Sequence, residues 1–352
     1  MSTWERGVRR VEPYVPGEQP KDTNVIKLNT NENPYPPSPA VQKVLSAADA
    51  ESLRLYPDPA ASDLVGALAD AYGLSPSQVF VGVGSDDVLA MCFQTFFNNR
   101  EPVLFPDITY SFYDVWTQLF GIPYRRVALD DDFRIRPADY TSGVNGGIIF
   151  PNPNAPTGVC EPLSVVEEIV AGNPDCVVIV DEAYVDFGAQ SALPLIDKYE
   201  NLLVVQTFSK SRSMAGMRIG FAMGNEKLIS YLNDVKYSFN SYTMSRPAIA
   251  AGTAALSDPG YFTQTCGKII ATRERAKETL SELGFIFPDS KANFLFVTHA
   301  EWNAEALFEA LKRERIFVRY FKKPRIDHYL RITVGTDGQM DALFEFLREY
   351  DG

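Results

Sequence analysis

Short, continuous apolar runs that alternate with helical patterns constrain the fold of this chain more than any other feature of its sequence. The runs are three to six residues long and lie at 79–83, 103–105, 147–150, 177–180, 202–207 and 219–223. Because polar residues do not alternate within them, they suit strands buried on both faces, as in a parallel sheet covered by helices. With helical patterns at 86–97 and 110–120, the sequence predicts an α/β fold whose large domain contains a mostly parallel sheet.

The pattern changes after about residue 250, where a long charged helical pattern covers 268–283. Candidate strands and amphipathic helices follow it at 294–298, 304–313, 316–321, 329–334 and 339–349. This mixture is typical of a smaller α+β domain. Residues 1–40 contain seven prolines, which indicate an extended arm. We therefore predict an arm at 1–40 that packs with the small domain, a large domain at 41–250 and a small domain at 251–352.

Composition argues against several classes of function. The 45 acidic and 33 basic residues give a net charge of −12, whereas nucleic-acid binding needs a basic surface. Two histidines, His299 and His328, and four cysteines without a CxxC spacing do not indicate a metal site. No apolar run approaches the roughly 20 residues of a membrane span, and the first ten residues lack the apolar segment of a secretory signal. We expect a cytoplasmic protein with neither a membrane nor a nucleic-acid partner.

A lysine, Lys210, lies in a Ser- and Gly-rich turn just after the run at 202–207. This position predicts that its amine lies at the carboxyl edge of the sheet, where α/β proteins bind ligands. A lysine there can form an imine with an aldehyde, and Arg218 offers a forked donor suited to a phosphate. A solvated loop with ordinary cations is the competing interpretation of this segment taken alone.

Two further strand ends carry polar groups. Asp181 follows the run at 177–180 and could pair with a protonated pyridine nitrogen, while Tyr184 could hydrogen-bond a ring oxygen. The sequence Pro-Asn-Pro-Asn-Ala-Pro-Thr-Gly at 151–158 predicts a rigid turn that could be shaped around a flat ligand. Taken separately, Asp181 also suits a turn or N-cap aspartate, and the proline-rich segment also suits a purely structural turn.

A Gly-rich turn at 82–87 leads from the first run into the following helix, and its free N–H groups would bind an anion. Asp87 stands where a dinucleotide fingerprint has Gly or Ala, so a single phosphate fits better and a nicotinamide dehydrogenase is disfavoured. Together the strand ends supply an amine, an acid, a ring-oxygen donor and a phosphate cradle. These are the groups that a pyridoxal 5'-phosphate (PLP) site needs.

At these residues the sequence resembles the fold-type-I PLP-dependent enzymes, and within them the histidinol-phosphate aminotransferase family. The likeness runs over nearly the whole chain and includes Leu-Asn-Thr-Asn-Glu-Asn-Pro at 28–34, Tyr-Pro-Asp at 56–58, Thr-Tyr-Ser-Phe-Tyr at 109–113 and Tyr-Leu-Arg-Ile-Thr-Val-Gly at 329–335. The resemblance implies a PLP-dependent aminotransferase of histidine biosynthesis. Its substrates would be glutamate or 2-oxoglutarate and a phosphorylated imidazole compound.

The resemblance also implies roles around the cofactor. Lys210 would carry PLP, Asp181 would pair with the pyridine nitrogen and Tyr184 would bond the ring oxygen. Tyr110 would stack on the face of the ring. The groups that would hold the phosphate are Ser209, Arg218 and the backbone of Ser85 and Asp86.

Other implied roles concern the substrate and a second subunit. Tyr56 would reach the phosphate in the neighbouring subunit of a homodimer. The residues that would hold the substrate's phosphate or carboxylate are Tyr14, Arg319 and Arg331. One departure affects the cofactor, since Ala155 stands where the family often has an asparagine that touches the ring oxygen. We expect that either Asn154 substitutes for it or Tyr184 makes that contact with less help.

Two alternatives of the same fold stay open at this point, an aromatic amino acid aminotransferase and a decarboxylase of a phosphorylated amino acid. A PLP-sensing regulator without turnover is a third alternative from another class. It would need an N-terminal DNA-binding domain, and residues 1–40 are too short and too rich in proline to form one.

Overall fold

The computed structural model describes residues 3–22 and 24–352. The strands are β1 (Ile26–Lys27), β2 (Val79–Gly82), β3 (Val103–Pro106), β4 (Tyr124–Val127), β5 (Gly147–Pro151), β6 (Val178–Asp181), β7 (Leu202–Thr207), β8 (Gly220–Gly224), β9 (Phe285–Ile286), β10 (Phe294–His299), β11 (Ile316–Phe317), β12 (Arg319–Tyr320) and β13 (Leu330–Thr333). The α-helices are α1 (Pro39–Ser46), α2 (Ser62–Tyr72), α3 (Ser85–Phe96), α4 (Phe112–Phe120), α5 (Ala138–Thr141), α6 (Leu163–Ala171), α7 (Glu226–Phe239), α8 (Arg246–Leu256), α9 (Pro259–Glu282), α10 (Ala304–Arg313) and α11 (Asp337–Glu349).

Within the described residues, seven strands form one sheet in the order β2-β8-β7-β6-β5-β3-β4. The strands from β7 to β4 run parallel, whereas β8 is antiparallel to both of its neighbours. Along β5, Ile148 and Phe150 pack into one core, while Ile149 packs into the core on the opposite face. Burial on both faces explains the continuous apolar runs, and the predicted α/β fold with a mostly parallel sheet is confirmed.

The C-terminal part contains an antiparallel sheet in the order β12-β13-β10-β9. Strand β1 of the arm pairs in parallel with β11, and Leu28 next to β1 is buried in the same core as Leu295 and Ile332. The prediction of one strand over 316–321 is wrong. The chain changes partners at Val318, because β11 pairs with the arm and β12 pairs with β13.

Two C-terminal helices begin earlier than the sequence patterns predicted, because capping residues precede them. Helix α9 begins after Asp258, whose side chain accepts from the Tyr261 amide, and α11 begins after Thr336, which forms a capping box with Gln339 in the first turn. Such caps satisfy N–H groups that have no partner within the helix. The apolar pattern alone does not extend to these first turns.

The sequence patterns missed other elements, among them β4 and the helices α6, α7 and α8. Strand β4 lies at the sheet edge and exposes Arg125 and Arg126, so it lacks an apolar run.

No helix in 3–22 and 24–352 is long and apolar enough to cross a membrane. In the same residues no group of three or more His, Cys, Asp and Glu side chains could hold a metal ion.

Candidate active site

A cavity of about 800 Å³ lies at the carboxyl ends of β6 and β7, beside the start of helix α3 and against β12 and β13. Parallel strands end at one edge of the sheet, so side chains from distant parts of the chain meet there. Most of the predicted site residues line this cavity. They are Tyr14, Ser85, Asp86, Tyr110, Asp181, Tyr184, Ser209, Lys210, Arg218, Arg319 and Arg331.

Asp181 is the last residue of β6 and is only 4% exposed. Its carboxylate accepts from the Tyr113 hydroxyl at 2.9 Å and from the Ala183 amide at 3.3 Å. In the described part of the chain no basic side chain lies within ion-pair distance of it, and burial raises its pKa to about 6. A buried acid without a cation fits a ligand that brings a positive charge, such as a protonated pyridine ring.

The sequence patterns gave Tyr113 no role, although it lies three residues after Tyr110. Tyr110 lies two residues before α4 and Tyr113 lies in its first turn, where the Tyr113 amide donates to the Tyr110 carbonyl at 3.2 Å. Both hydroxyls reach acids of the site, since Tyr110 donates to Asp86 at 2.7 Å and Tyr113 donates to Asp181. Burial raises the pKa of both tyrosines well above the ordinary value, so both stay neutral donors.

Lys210 lies three residues beyond the end of β7, and its Nζ donates to the Thr30 carbonyl at 3.3 Å. The nitrogen lies 5.8 Å from the centre of the Tyr184 ring. No carboxylate among the described residues lies within ion-pair distance of Nζ. The amine is therefore not held in an ion pair and can react with a ligand in the cavity.

The start of helix α3 forms an anion cradle next to Lys210. The N-cap is Gly84, which provides no side-chain cap, so the first N–H groups of the helix are open to an anion. Arg218 donates to Ser209 Oγ at 3.5 Å and pairs with the Asp86 carboxylate at 3.3 Å. A Cβ atom on Gly220 would lie 2.3 Å from Ser85 N, so only glycine allows this close approach of β8 to the helix start.

Arg331 also lines the cavity, and its guanidinium carbon lies 5.3 and 5.5 Å from the ring centres of Phe294 and Phe321. Its Nη2 donates to the Asn29 carbonyl at 2.9 Å, whereas the buried Nε has no partner within the described chain. Burial lowers the pKa of Arg331, and the nearby charge of Arg319 adds to this effect. A half-buried guanidinium with an unpartnered Nε and no carboxylate nearby suits an anionic ligand.

Arg319 and Tyr14 lie beside it, where the arm covers the cavity. Arg319 donates to the carbonyls of Val15 and Pro16 at 3.4 and 3.5 Å. The Tyr14 ring stacks on Phe112 with ring centroids 4.2 Å apart. The arm therefore brings an aromatic ring and a second guanidinium to the same end of the site.

Two of the predicted residues do not line the cavity. Asn154 is buried behind the wall, where its amide donates to the Ile108 carbonyl and to Thr157 Oγ1 at 3.1 and 2.9 Å. Ala155 does line the cavity, so the turn offers methyl carbon where an amide was expected. Tyr56 is 77% exposed and contacts Tyr242, with ring centroids 4.6 Å apart.

These features fit PLP. One cavity is lined by an amine without an ion-pair partner, a buried acid without a cation, an open helix N-terminus beside an arginine, and an aromatic hydroxyl. They match the aldehyde, pyridine nitrogen, phosphate and ring oxygen of that cofactor.

Comparison with known proteins agrees with this chemistry. Residues 23–347 match the family described as aminotransferase class I and II. Histidinol-phosphate aminotransferase 2 of Dechloromonas aromatica is 55% identical over 352 residues, which is 99% of each chain. Histidinol-phosphate aminotransferase 1 of Bordetella parapertussis is 56% identical over 348 residues, or 98% of each chain. The crystal structure of histidinol-phosphate aminotransferase from Sinorhizobium meliloti in complex with PLP has a TM-score of 0.83 at 26% identity, covering 92% of this chain and 90% of that one.

The fold and the site define a fold-type-I PLP-dependent transferase, and the chain belongs to the class I and II aminotransferase family. Within it, relatives that are 53% to 56% identical over nearly the whole chain are histidinol-phosphate aminotransferases, so the resemblance seen in the sequence is confirmed. The expectation of a PLP-dependent aminotransferase is confirmed with it. The roles of the individual site residues stay predictions.

Proposed function

We propose that this protein transfers an amino group between histidinol phosphate and 2-oxoglutarate, as a cytoplasmic homodimer. The names of its relatives support the phosphorylated substrate. When 2-oxoglutarate accepts the amino group, it becomes glutamate. Both amines carry an anionic group, which must be bound while the amino group lies at Lys210.

Arg331 is the observation that carries this proposal. It lines the cavity, its buried Nε has no partner among the described residues, and Arg319 lies opposite it on the neighbouring strand. Two guanidinium forks suit a phosphate dianion with three acceptor oxygens, whereas one fork satisfies a carboxylate. The pair therefore favours a phosphorylated amine over an aromatic amino acid.

Bound PLP supplies an aldehyde carbon that accepts the amino group and a cationic ring that delocalises negative charge. Lys210 would hold the cofactor through its Nζ. As a free amine, the same nitrogen would remove the proton from the amino-bearing carbon of the substrate and, as an acid, deliver it to the former aldehyde carbon of the cofactor. No carboxylate among the described residues ties this amine in place, so it is free to move.

The other residues hold charges and exclude water. Ionised Asp181 would keep the ring nitrogen protonated, and the Tyr113 hydroxyl donates to that carboxylate. Arg218 and the start of helix α3 would hold the phosphate of the cofactor. Tyr14 stacks on Phe112 and covers the substrate end of the site, which shields the proton transfer from solvent.

An exposed apolar surface supports the homodimer. One exposed apolar segment contains Leu53, Leu55 and Tyr56, each at least half exposed. A second contains the exposed rings of Phe239 and Tyr242. Arg246, a few residues further along the chain, donates to the Tyr56 carbonyl and so connects the two segments. Exposed aromatic side chains of this kind are typical of protein interfaces. In a dimer Tyr56 would reach the phosphate of the neighbouring site.

The test of the substrate compares arginine variants. Arg331→Ala should lower kcat/KM for histidinol phosphate and for glutamate, because both share that anchor. Arg319→Ala should lower kcat/KM for histidinol phosphate by roughly 10- to 150-fold more than for glutamate, since a charge-assisted contact contributes about 1.5–3 kcal/mol. The measurement is kcat/KM for histidinol phosphate, glutamate and phenylalanine.

Arg313→Ala is the matched control, because Arg313 is exposed on α10 and does not line the cavity. It should leave all three values unchanged. Equal losses for all three amines in Arg319→Ala would contradict the phosphate-binding role. Faster turnover of phenylalanine than of histidinol phosphate by the wild type would contradict the proposed substrate.

A further inference from the structure

The hydroxyl of Tyr184 has an unexpected partner in the arm. Asn31 Nδ2 donates to the Tyr184 hydroxyl oxygen at 2.9 Å, although 153 residues separate the two in the chain. Asn31 is 1% exposed and lines the cavity together with Tyr184. The contact is therefore buried at the site itself.

The Asn31 amide is fixed in orientation by the rest of its hydrogen bonds. Its Oδ1 accepts from Thr333 Oγ1 at 3.0 Å, so Nδ2 must face Tyr184. Its backbone N–H donates to the same Thr333 oxygen, and its carbonyl accepts from Asn293 Nδ2, both at 3.0 Å. Its φ of 56° lies in the left-handed region, which asparagine adopts more readily than most residues.

This arrangement determines what the tyrosine can do. A phenol carries one proton and accepts at its oxygen, and the Asn31 amide occupies an acceptor position. The proton of Tyr184 has no acceptor among the described protein residues, so it is available to a ligand in the cavity. No amide of the 151–158 turn assists it, since Asn154 is engaged elsewhere and Ala155 is apolar.

We propose that Asn31 is a positioning residue that makes Tyr184 a hydrogen-bond donor to the ring oxygen of PLP. The proposal rests on the cofactor site described above. It requires neither histidinol phosphate nor any other amine, because the effect is on the cofactor bound through Lys210. A donor to the ring oxygen stabilises the negative charge there and makes the linkage to Lys210 less basic.

The test is a pH titration of the visible absorbance of the holoenzyme. Asn31→Gly removes the amide and keeps the left-handed backbone free of strain. The pH midpoint of the absorbance change should rise by roughly 0.4 to 1 pH units, the equivalent of one neutral hydrogen bond. Asn31→Asp has nearly the same shape and cannot donate, so its midpoint should also rise. It provides the measurement if the glycine variant does not fold.

The Tyr184→Phe background separates positioning from a general structural effect. Asn31→Gly should shift the midpoint of the wild type but not that of Tyr184→Phe, because the amide acts through the hydroxyl. Asn303→Asp controls for the change in net charge alone, since Asn303 caps α10 outside the cavity and its cap oxygen is retained. Its midpoint should stay unchanged.

An unchanged midpoint in both Asn31 variants would overturn the proposal. The proposal would also be overturned if Asn31→Gly shifted the pH midpoint equally in the wild type and in Tyr184→Phe. The substrate assignment can fail in the kinetic comparison without affecting this titration, which uses the holoenzyme and no amine.

Discussion

At the scale of single residues, the site contains a buried acid and a half-buried arginine that have no opposite charge beside them. Asp181 has hydroxyl and amide donors but no cation among the described residues, and Arg331 has a carbonyl acceptor but no anion. Each arrangement is unfavourable in the protein alone and becomes favourable when a ligand brings the missing charge. We therefore expect Asp181 to face the cofactor and Arg331 to face the substrate within the same cavity.

The raised pKa of Asp181 has a consequence for stability. The pKa is raised from 3.8 to about 6, so the folded protein binds this proton more tightly than the unfolded chain. The stabilisation is fully present below about pH 4 and is lost as the pH rises through about 6. In cofactor-free protein, the free energy of unfolding of the wild type relative to Asp181→Asn should fall by roughly 3 kcal/mol between these limits.

Denaturant unfolding of both proteins across this pH range would measure the difference. With PLP bound the fall should be much smaller, because a cationic ring nitrogen lowers the pKa of the carboxyl again. A difference that does not depend on pH in the cofactor-free protein would show that Asp181 is already ionised there.

At the scale of elements, one antiparallel strand completes the anion cradle at the start of helix α3, where we expect the phosphate. Strand β8 pairs with both β2 and β7, which places Gly220 against the start of helix α3. Arg218, just before β8, has a φ of 54° and reaches Ser209 and Asp86. The helix start, the end of β7 and the start of β8 therefore meet at the place where the phosphate is expected.

Gly220→Ala should displace the start of helix α3, because its Cβ would lie 2.3 Å from Ser85 N and from the Gly84 carbonyl carbon. Neither of these backbone atoms can rotate away as a side chain could. Overpacking of this kind costs about 1–3 kcal/mol, and we expect weaker PLP binding together with a lower free energy of unfolding. PLP titration and denaturant unfolding measure the two effects.

Gly267→Ala is the matched control, since an added Cβ on that helical residue meets nothing within 4 Å. Alanine also favours a helix, so this variant should be as stable as the wild type or more so. Unchanged PLP affinity in Gly220→Ala would mean that the cradle can shift without loss.

At the scale of the whole molecule, the proposed dimer divides each site between two chains. Lys210→Ala and Tyr56→Phe should each have low activity alone. In a mixed dimer, the lysine of one chain and the tyrosine of the other restore one intact site. Random exchange of subunits should therefore recover about a quarter of the wild-type activity.

The control mixture is Lys210→Ala with Asp181→Asn. Both of these residues line the same cavity of one chain, so no mixed dimer contains an intact site. Recovery in the control, or no recovery in the test mixture after proven exchange, would contradict the shared site. An active monomer found by sedimentation would also contradict the shared site.

The sequence alone predicted the large-domain sheet and the residues at its strand ends. Continuous apolar runs gave β5, β6 and β7, and the polar residues just after two of them, Asp181 and Lys210, line the cavity. This works because strand burial produces a local pattern and because parallel strands end at one edge. The family resemblance added Tyr14, Arg319 and Arg331, which no local pattern marks.

Only the tertiary structure showed which distant segments meet. The contact of Asn31 with Tyr184 joins residues 153 apart, and that of Arg331 with Asn29 joins residues 302 apart. Asn154 likewise does not line the cavity as a substitute for the missing asparagine, because its amide donates to Ile108 and Thr157. A side-chain hydrogen bond forms only when packing brings donor and acceptor within about 3 Å of each other. Neither the periodicity of the sequence nor the spacing of residues along it determines that distance.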